Sequence, residues 1–246
     1  MQDIPASSLD LQVVMPVYNE QEAIGEVVGD WCVKLDDCGI RYVLIVVDDG
    51  SRDGTPDALK KLQEKWGPKL EVVRQKNAGH GQAILNGYRL AAQRPVPWIF
   101  QIDSDGQCDP QYFPQLWAVR DGYDFVSGFR TRRDDGFSRL IISQVLRVVV
   151  FFLSGVNCKD ANVPYRLMRT QVFAPLFAKI PSTCFFTNVC LSILAIRAGL
   201  RYKYLPMRFL ARQAGESTVP LRKLGQNALT LCRNVRELLK TEKLQT

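Results

Sequence analysis

The apolar positions of this chain fall into two alternating rhythms. Short, mostly apolar runs, Leu11–Pro16 stopped by its proline, Tyr42–Val47, Leu70–Val73 and Val96–Ile102, read as strands, buried as those of parallel sheets are. Between them the apolar residues recur at helical spacing, as Ile24, Val27, Val28, Trp31 and Leu35 do within Gln21–Asp37. Pro56–Trp66, and a segment opened by Asn77–Gln82 and running to about Gln93, supply two further helices. Strand and helix alternate four times with short links. That predicts an α/β fold, a mostly parallel central sheet with helices on both faces and right-handed crossovers. Ligands of such sheets lie beyond the carboxyl ends of the strands. Three loops fall there: Pro16–Glu20, Asp48–Ser51 and Asp103–Gln107. A helix after Pro110 and a fifth strand over Tyr123–Gly128 complete this half.

Past Phe129–Gly136, a polar loop, the character changes. Leu140–Leu153 is an apolar helix broken by Ser143, Gln144 and Arg147, too short and polar to span a bilayer, and suited to an interface or a core. Val156–Arg169 reads as irregular or strand-like, Thr183–Ala198 as a helix ended by Gly199, and Arg201–Leu210 as extended. Leu221, Leu224, Ala228, Leu231, Val235 and Leu238 form one stripe of a last helix, ringed by Arg222, Lys223, Arg233, Arg236 and Lys240. Such a helix suits either a core-facing position or a membrane surface.

The 246 residues suffice for one large domain, divided here into a half at 1–135 and a half at 136–246. Net charge separates the halves: 15 Lys/Arg against 21 Asp/Glu in the first, 17 against 4 in the second. Between Gly136 and Gly215 the only acid is Asp160, so the second half expects an anionic partner such as a phosphorylated substrate or an acidic membrane surface. No nucleic-acid-binding motif accompanies the charge. The seven scattered cysteines make no CxxC pair and predict free thiols in a reducing cytosol. The first residues lack the basic and apolar parts of a secretory signal.

The chemistry concentrates at Asp103-Ser104-Asp105-Gly106-Gln107. The run Val96–Ile102 ends in these acids, and because alternate strand residues point the same way, Asp103 and Asp105 are expected to face one ligand at the strand's carboxyl end. Two carboxylates and the Gln107 amide are hard oxygen donors suited to Mg²⁺ or Mn²⁺, and such a metal takes up charge on a departing diphosphate. In the first loop Pro16, Tyr18 and Glu20 offer a ring to cover a base and a carboxylate for base or ribose hydrogens, and Asp48 or Asp49 offers another. Gly79 and Gly81 permit close backbone approach near a helix start, and His80 between them reads as a loop or structural residue.

Four ordered motifs carry a family resemblance: Val14–Glu20, Val47–Ser51 with Asp53-Gly54-Thr55, Asn77–Gly81, and Asp103–Gln107. Together they resemble family-2 glycosyltransferases, which have the GT-A fold. Beyond residue 130, Gly128-Phe129-Arg130, Lys159-Asp160 with Pro164-Tyr165-Arg166, and Arg212 with Gly215-Glu216-Ser217 are similar to signatures of the dolichyl- and polyprenyl-phosphate sugar transferases. Phe129 and Pro164-Tyr165 depart from those signatures. The resemblance implies a nucleotide-sugar site of Pro16, Tyr18, Glu20, Asp48, Asp103, Ser104 and Asp105, and a metal on Asp103, Asp105 and Gln107. It further implies catalytic roles for Asp105, Arg130, Arg139 and Arg212.

The expected reaction is an inverting displacement at the anomeric carbon, from GDP-mannose or a UDP-hexose to a polyprenyl phosphate, at the cytoplasmic face of a membrane. Attachment would be peripheral or through a small membrane partner protein. Members with hydroxyl acceptors commonly carry a Glu-Asp pair at a helix start, where this chain has Phe185-Phe186-Thr187-Asn188-Val189. A phosphate acceptor is already largely ionised at neutral pH and needs little base. Two other readings stay open: a soluble transferase onto a hydroxyl with Asp160 as base, and a non-catalytic nucleotide-binding module.

Overall fold

The computed structural model describes residues 5–132, 147–210 and 224–244. Strands β1 (Leu11–Val17), β2 (Tyr42–Asp48), β3 (Leu70–Arg74) and β4 (Trp98–Ile102) alternate with helices α1 (Ile24–Asp37), α2 (Thr55–Trp66) and α3 (His80–Ala92). Then follow α4 (Phe113–Val119), β5 (Phe125–Arg132), α5 (helical over 147–154), β6 (Tyr165–Arg169), α6 (Thr170–Lys179), α7 (Thr187–Arg197), β7 (Tyr202–Arg208) and α8 (Leu224–Leu244). The strands form one seven-stranded sheet in the order β3-β2-β1-β4-β6-β5-β7.

The expected sheet is present, with one strand reversed. β1 pairs parallel to β2 and β4, β2 to β3, and β5 to β7. β6 runs antiparallel to both β4 and β5. An apolar run announces burial but carries no direction, so the reversal was not legible.

β1, β2 and β4 are buried along their whole length, because helices cover both faces. Leu11, Val13 and Met15 of β1 join Leu44, Val46, Phe100 and Trp31 in one core. Val14, Ile45, Val47 and Ile99 turn the other way, toward Tyr88 of α3, Phe177 of α6 and Leu191 of α7. This is the two-residue alternation of a strand read out in three dimensions. Trp31, Phe100, Phe113 and Tyr165 lock the first core, with ring centroids 5.0–6.2 Å apart.

The stripe of α8 faces the core through Leu231, Val235 and Leu238, while Ala228 is exposed. Helix α5 divides its apolar residues: Val150 is buried, and Phe152 is 80% exposed beside half-exposed Val148 and Phe151. All seven cysteines are free thiols. No helix among the described residues is long and apolar enough to cross a membrane.

Candidate active site

The first two loops are stitched together. Parallel pairing aligns Val17 with Asp48, so the chain leaves β1 and β2 side by side. Asn19 adopts φ 53°. Its amide donates to Ser51 Oγ (3.0 Å) and its side-chain oxygen accepts from the Arg52 amide (2.8 Å). The Glu20 amide donates to Thr55 Oγ1 (2.9 Å), the Gln21 amide to Asp53 Oδ2 (3.3 Å), and the Gly54 amide to Gln21 Oε1 (2.7 Å). Burial alone would raise the Asp53 pKa, but hydrogen bonds from Thr55 and Gln21 outweigh it and hold the carboxyl below its usual value. Tyr18 stands on this frame with its ring 43% exposed. Pro16 is not in the loop as the sequence suggested. It lies in β1 opposite Val47, beyond the point where the β1–β4 ladder ends at Val14, so its missing N–H breaks no bond there.

The adjacent acids divide their work. Asp48, buried at the end of β2, accepts from the Ser51 amide (2.9 Å) and faces Arg74 Nε at 3.4 Å. Asp49 ties down the loop before α3: Oδ1 accepts from Gln75 Nε2 (2.7 Å) and the Ala78 amide (2.8 Å), and Oδ2 from the Gly79 amide (2.8 Å). That loop presents His80, whose Nε2 lies 3.6 Å from Asp103 Oδ1. Gly81 must be glycine. A Cβ there would sit 2.1 Å from the carbonyl oxygen of Phe185, in the lead-in to α7.

β4 ends at Ile102, so Asp103 and Asp105 stand in the turn beyond it, and strand alternation does not set their directions. The turn is shaped locally. Gly106 takes φ 74°, and Asp105 Oδ1 accepts from the Gln107 amide (3.1 Å). Ser104 is buried between the two acids. Gln107 fastens the turn to the end of β7: its carbonyl accepts from the Leu210 amide (3.0 Å), and its Nε2 donates to the Leu210 carbonyl (3.3 Å). Its Oε1 is therefore the atom that could meet a cation. Beneath the turn, the buried Cys108 thiol is pushed well up by burial first, then by the charges of Asp103 and Asp105, with Arg130 opposing. Because β6 is antiparallel to both β4 and β5, β5 runs the same way as β4 and carries Arg130 at the same edge of the sheet.

Arg130, on β5, lies with its guanidinium 4.7 Å from the Phe209 ring centre, and its Nε is 3.9 Å from Asp160 Oδ2. The expected phosphate-binding cation and the alternative base are thus partners. Arg166, of the Pro164-Tyr165-Arg166 motif, is fully buried, and desolvation lowers its pKa. It donates from Nε to the Val163 carbonyl (2.8 Å) and from Nη2 to the Ala161 carbonyl and to Ser192 Oγ, fixing the turn after Asp160. It is structural where the sequence offered only a motif. Arg139, Arg212, Gly215-Glu216-Ser217 and the first half of Leu140–Leu153 lie outside the described residues.

Sequence reasoning missed Gln101, which donates from Nε2 to Asp103 Oδ1 (2.9 Å). The available signal was a lone amide in an otherwise apolar strand. It also missed Arg74 beside Asp48. As for a metal, no group of three His, Cys, Asp or Glu gathers among the described residues. Two carboxylates with one amide oxygen nevertheless fit Mg²⁺ or Mn²⁺, which keep waters and substrate phosphates as their other ligands.

A mostly parallel sheet whose carboxyl edge gathers a paired-acid turn, a base-sized aromatic loop and a basic strand end defines a GT-A glycosyltransferase fold. The chain spans 96% of its own length and 75% of the length of mannosyl-3-phosphoglycerate synthase from Rubrobacter xylanophilus in superposition, with TM-score 0.70 at 18% identity. Against glucosyl-3-phosphoglycerate synthase from Mycobacterium tuberculosis in complex with Mn²⁺, UDP-glucose and phosphoglyceric acid, the TM-score is 0.67 at 20% identity, covering 96% and 80% of the two chains. The sequence profile of glycosyl transferase family 2 matches residues 12–177, and the chain belongs to that family. A curated relative, undecaprenyl-phosphate 4-deoxy-4-formamido-L-arabinose transferase of Edwardsiella ictaluri (strain 93-146), is 28% identical over 216 residues. That alignment takes in 87% of this chain and 64% of the relative's length.

Proposed function

We propose that the chain moves a sugar from a nucleoside diphosphate, a uridine diphosphate first among the candidates, to a polyprenyl phosphate at the cytoplasmic face of a membrane. The observation that carries the phosphate acceptor is the head of α7. Asn188 stands there buried, with its amide engaged on both sides by Tyr88 and Gln101, and no carboxylate replaces it. Asp160, the one acid between Gly136 and Gly215, faces Arg130 instead. An acceptor that arrives as an anion needs no proton removed. Donor and metal draw support from the M. tuberculosis neighbour, which holds Mn²⁺ and UDP-glucose, and the lipid acceptor from the relative's name.

Tyr18 covers the base, and Asp48, with Glu20, accepts hydrogen bonds from base or ribose. Asp103, Asp105 and Gln107 would hold Mg²⁺ or Mn²⁺, which when bound stabilises negative charge on the diphosphate. Ser104 lies between those acids and lines the donor side. Arg130, joined by Arg139 and Arg212, gathers the phosphates and offsets their repulsion. The acceptor phosphate oxygen attacks the anomeric carbon from the face opposite the diphosphate. The bond to the diphosphate oxygen breaks, and the configuration inverts. Residues 1–135 thereby serve the donor and 136–246 the acceptor. Phe151 and Phe152, exposed on α5, supply apolar surface for peripheral contact with lipid or with a small membrane partner protein.

The test is transfer of radiolabel from UDP- and GDP-sugars into organic-extractable lipid, with polyprenyl phosphate and Mg²⁺ or Mn²⁺ present. Label in the lipid phase, lost with chelator and with Asp105→Ala, is the expected result. Nucleotide release without lipid label would overturn the lipid acceptor and direct attention to a hydroxyl with Asp160 as base. Donor binding without any turnover across the panel would favour a binding module.

A further inference from the structure

A run of buried polar side chains leads from the interior to the paired-acid turn. Tyr88 of α3 donates its hydroxyl to Asn188 Oδ1 of α7 (3.0 Å), Asn188 Nδ2 donates to Gln101 Oε1 of β4 (3.1 Å), and Gln101 Nε2 donates to Asp103 Oδ1 (2.9 Å). Tyr88 and Gln101 are fully buried and Asn188 nearly so, while the Asp103 side chain is 21% exposed. The run joins the inside of the protein to its site edge.

The direction of the run is fixed by chemistry. An ionised carboxylate only accepts, so the amide of Gln101 must turn its NH₂ toward Asp103. Its oxygen is then left facing Asn188, which must donate. Asn188 in turn presents its own oxygen to Tyr88, whose hydroxyl must donate as well. Burial raises the Tyr88 pKa, the Arg166 charge opposing it and the Asp103 charge adding to it, so the phenol keeps its proton. None of these atoms is among the buried side-chain nitrogens and oxygens left without a partner, whereas Arg166 Nη1 and Gln12 Oε1 are. Hydrocarbon side chains would fill the same space between β4, α3 and α7 without needing three matched bonds, so packing alone does not explain them.

We propose that Gln101, oriented by Asn188 and Tyr88, is a positioning residue for Asp103. It holds Oδ1 in place, so that the carboxylate meets a divalent cation and the donor diphosphate in one set orientation. This rests on the metal-dependent reading above. Partners that orient a ligating group typically contribute about 10–100-fold to metal affinity. Asn188→Asp is the sharper variant of the relay. An ionised carboxylate there cannot donate to Gln101, so the Gln101 amide turns over and presents its oxygen to Asp103.

The experiment measures Mn²⁺ binding to the full chain with UDP present, by the loss of free Mn²⁺ signal in electron paramagnetic resonance, alongside thermal unfolding without metal. Wild type is expected to bind and Asp105→Ala to fail. Gln101→Leu and Asn188→Asp should each weaken Mn²⁺ by about 10-fold or more, and Tyr88→Phe by a smaller factor in the same direction. Gln12→Leu is the control. It replaces a buried glutamine of β1 that donates to the Ala91 carbonyl (2.8 Å) and is not part of the relay, so it should leave Mn²⁺ affinity unchanged whatever it does to stability. Should Gln101→Leu not fold, Tyr88→Phe decides, since it keeps the ring and removes only the terminal donor. Unaltered Mn²⁺ affinity in the folded relay variants, with Asp105→Ala still defective, would overturn the relay and leave the metal reading standing. Absence of Mn²⁺ binding by wild type would overturn both.

Discussion

Asp49 offers the most direct check of how the donor side is built. Its two oxygens accept three hydrogen bonds, from Gln75 Nε2 and from the Ala78 and Gly79 amides, at 2.7–2.8 Å. The acid itself is 2% exposed. Hydrogen bonds to a charged group contribute about 1.5–3 kcal/mol each. Ala78 is exposed and Gly79 half-buried, so water can take up part of what Asp49→Ala removes. A loss of about 3–5 kcal/mol follows, which for a chain of this size lowers Tm by roughly 6–20 °C. Asp49→Asn keeps the shape and one acceptor oxygen. It sets an NH₂ against a backbone N–H at the other position and should fall between wild type and alanine. Thermal melts followed by circular dichroism, with urea unfolding as a cross-check, read both variants. A fall in Tm below about 3 °C for Asp49→Ala would refute the idea that this carboxylate holds the loop carrying His80. Equal loss in both variants would refute the assignment of separate work to its two oxygens.

Three further outcomes are expected. Gly81→Ala should destabilise by about 3 kcal/mol or more, the upper part of the range for overpacking, because the new Cβ meets backbone at 2.1 Å and 2.7 Å on Phe185. Gly29→Ala, inside α1 with open space around it, should stabilise by about 0.5–1 kcal/mol in the same urea titration. Asp124 is held below its usual pKa by its hydrogen bonds to Arg201, at 2.8 and 3.1 Å, against an opposing effect of burial, with Arg169 adding charge. A depressed folded pKa contributes stability that is complete above the unfolded value and disappears as pH falls through the folded one. The stability gap between wild type and Asp124→Asn should therefore be open at pH 6, begin to close below about pH 4 and be lost as pH falls through the lower folded pKa; a gap unchanged from pH 6 down to about pH 2 would refute the coupling.

Much of the frame was legible because its signals are local. Apolar runs of strand length, helices at their own period, and acids or glycines at the junctions placed the first four strands and the three site loops within a few residues. Tyr165–Arg169 was only half legible, since burial shows in the residues but strand direction does not. Asp103 and Asp105 were found as a pair, yet strand alternation was the wrong reason to give them one direction, because strand β4 ends at Ile102, immediately before Asp103. Pro16 was placed in a loop on the rule that proline ends strands, and it escapes that rule where one neighbour's ladder has already ended.

By itself, then, the sequence determined which segments of the first half are strands and helices, which ends carry acids, and that the second half is basic; helix α6 (Thr170–Lys179) went unread. Those properties depend on neighbours within a turn or a strand. Tertiary structure decided the partners. Asp48 and Asp49 are adjacent in sequence and chemically identical, and only packing sends one to Arg74 and the other to the loop before α3. Arg130 meets Asp160, and Gln101 meets Asn188 across 87 residues of chain, because the reversed β6 and the seating of α7 on the sheet bring them together. A hydrogen bond has a direction and a reach of about 3 Å. No pattern along the chain encodes either until the sheet has closed.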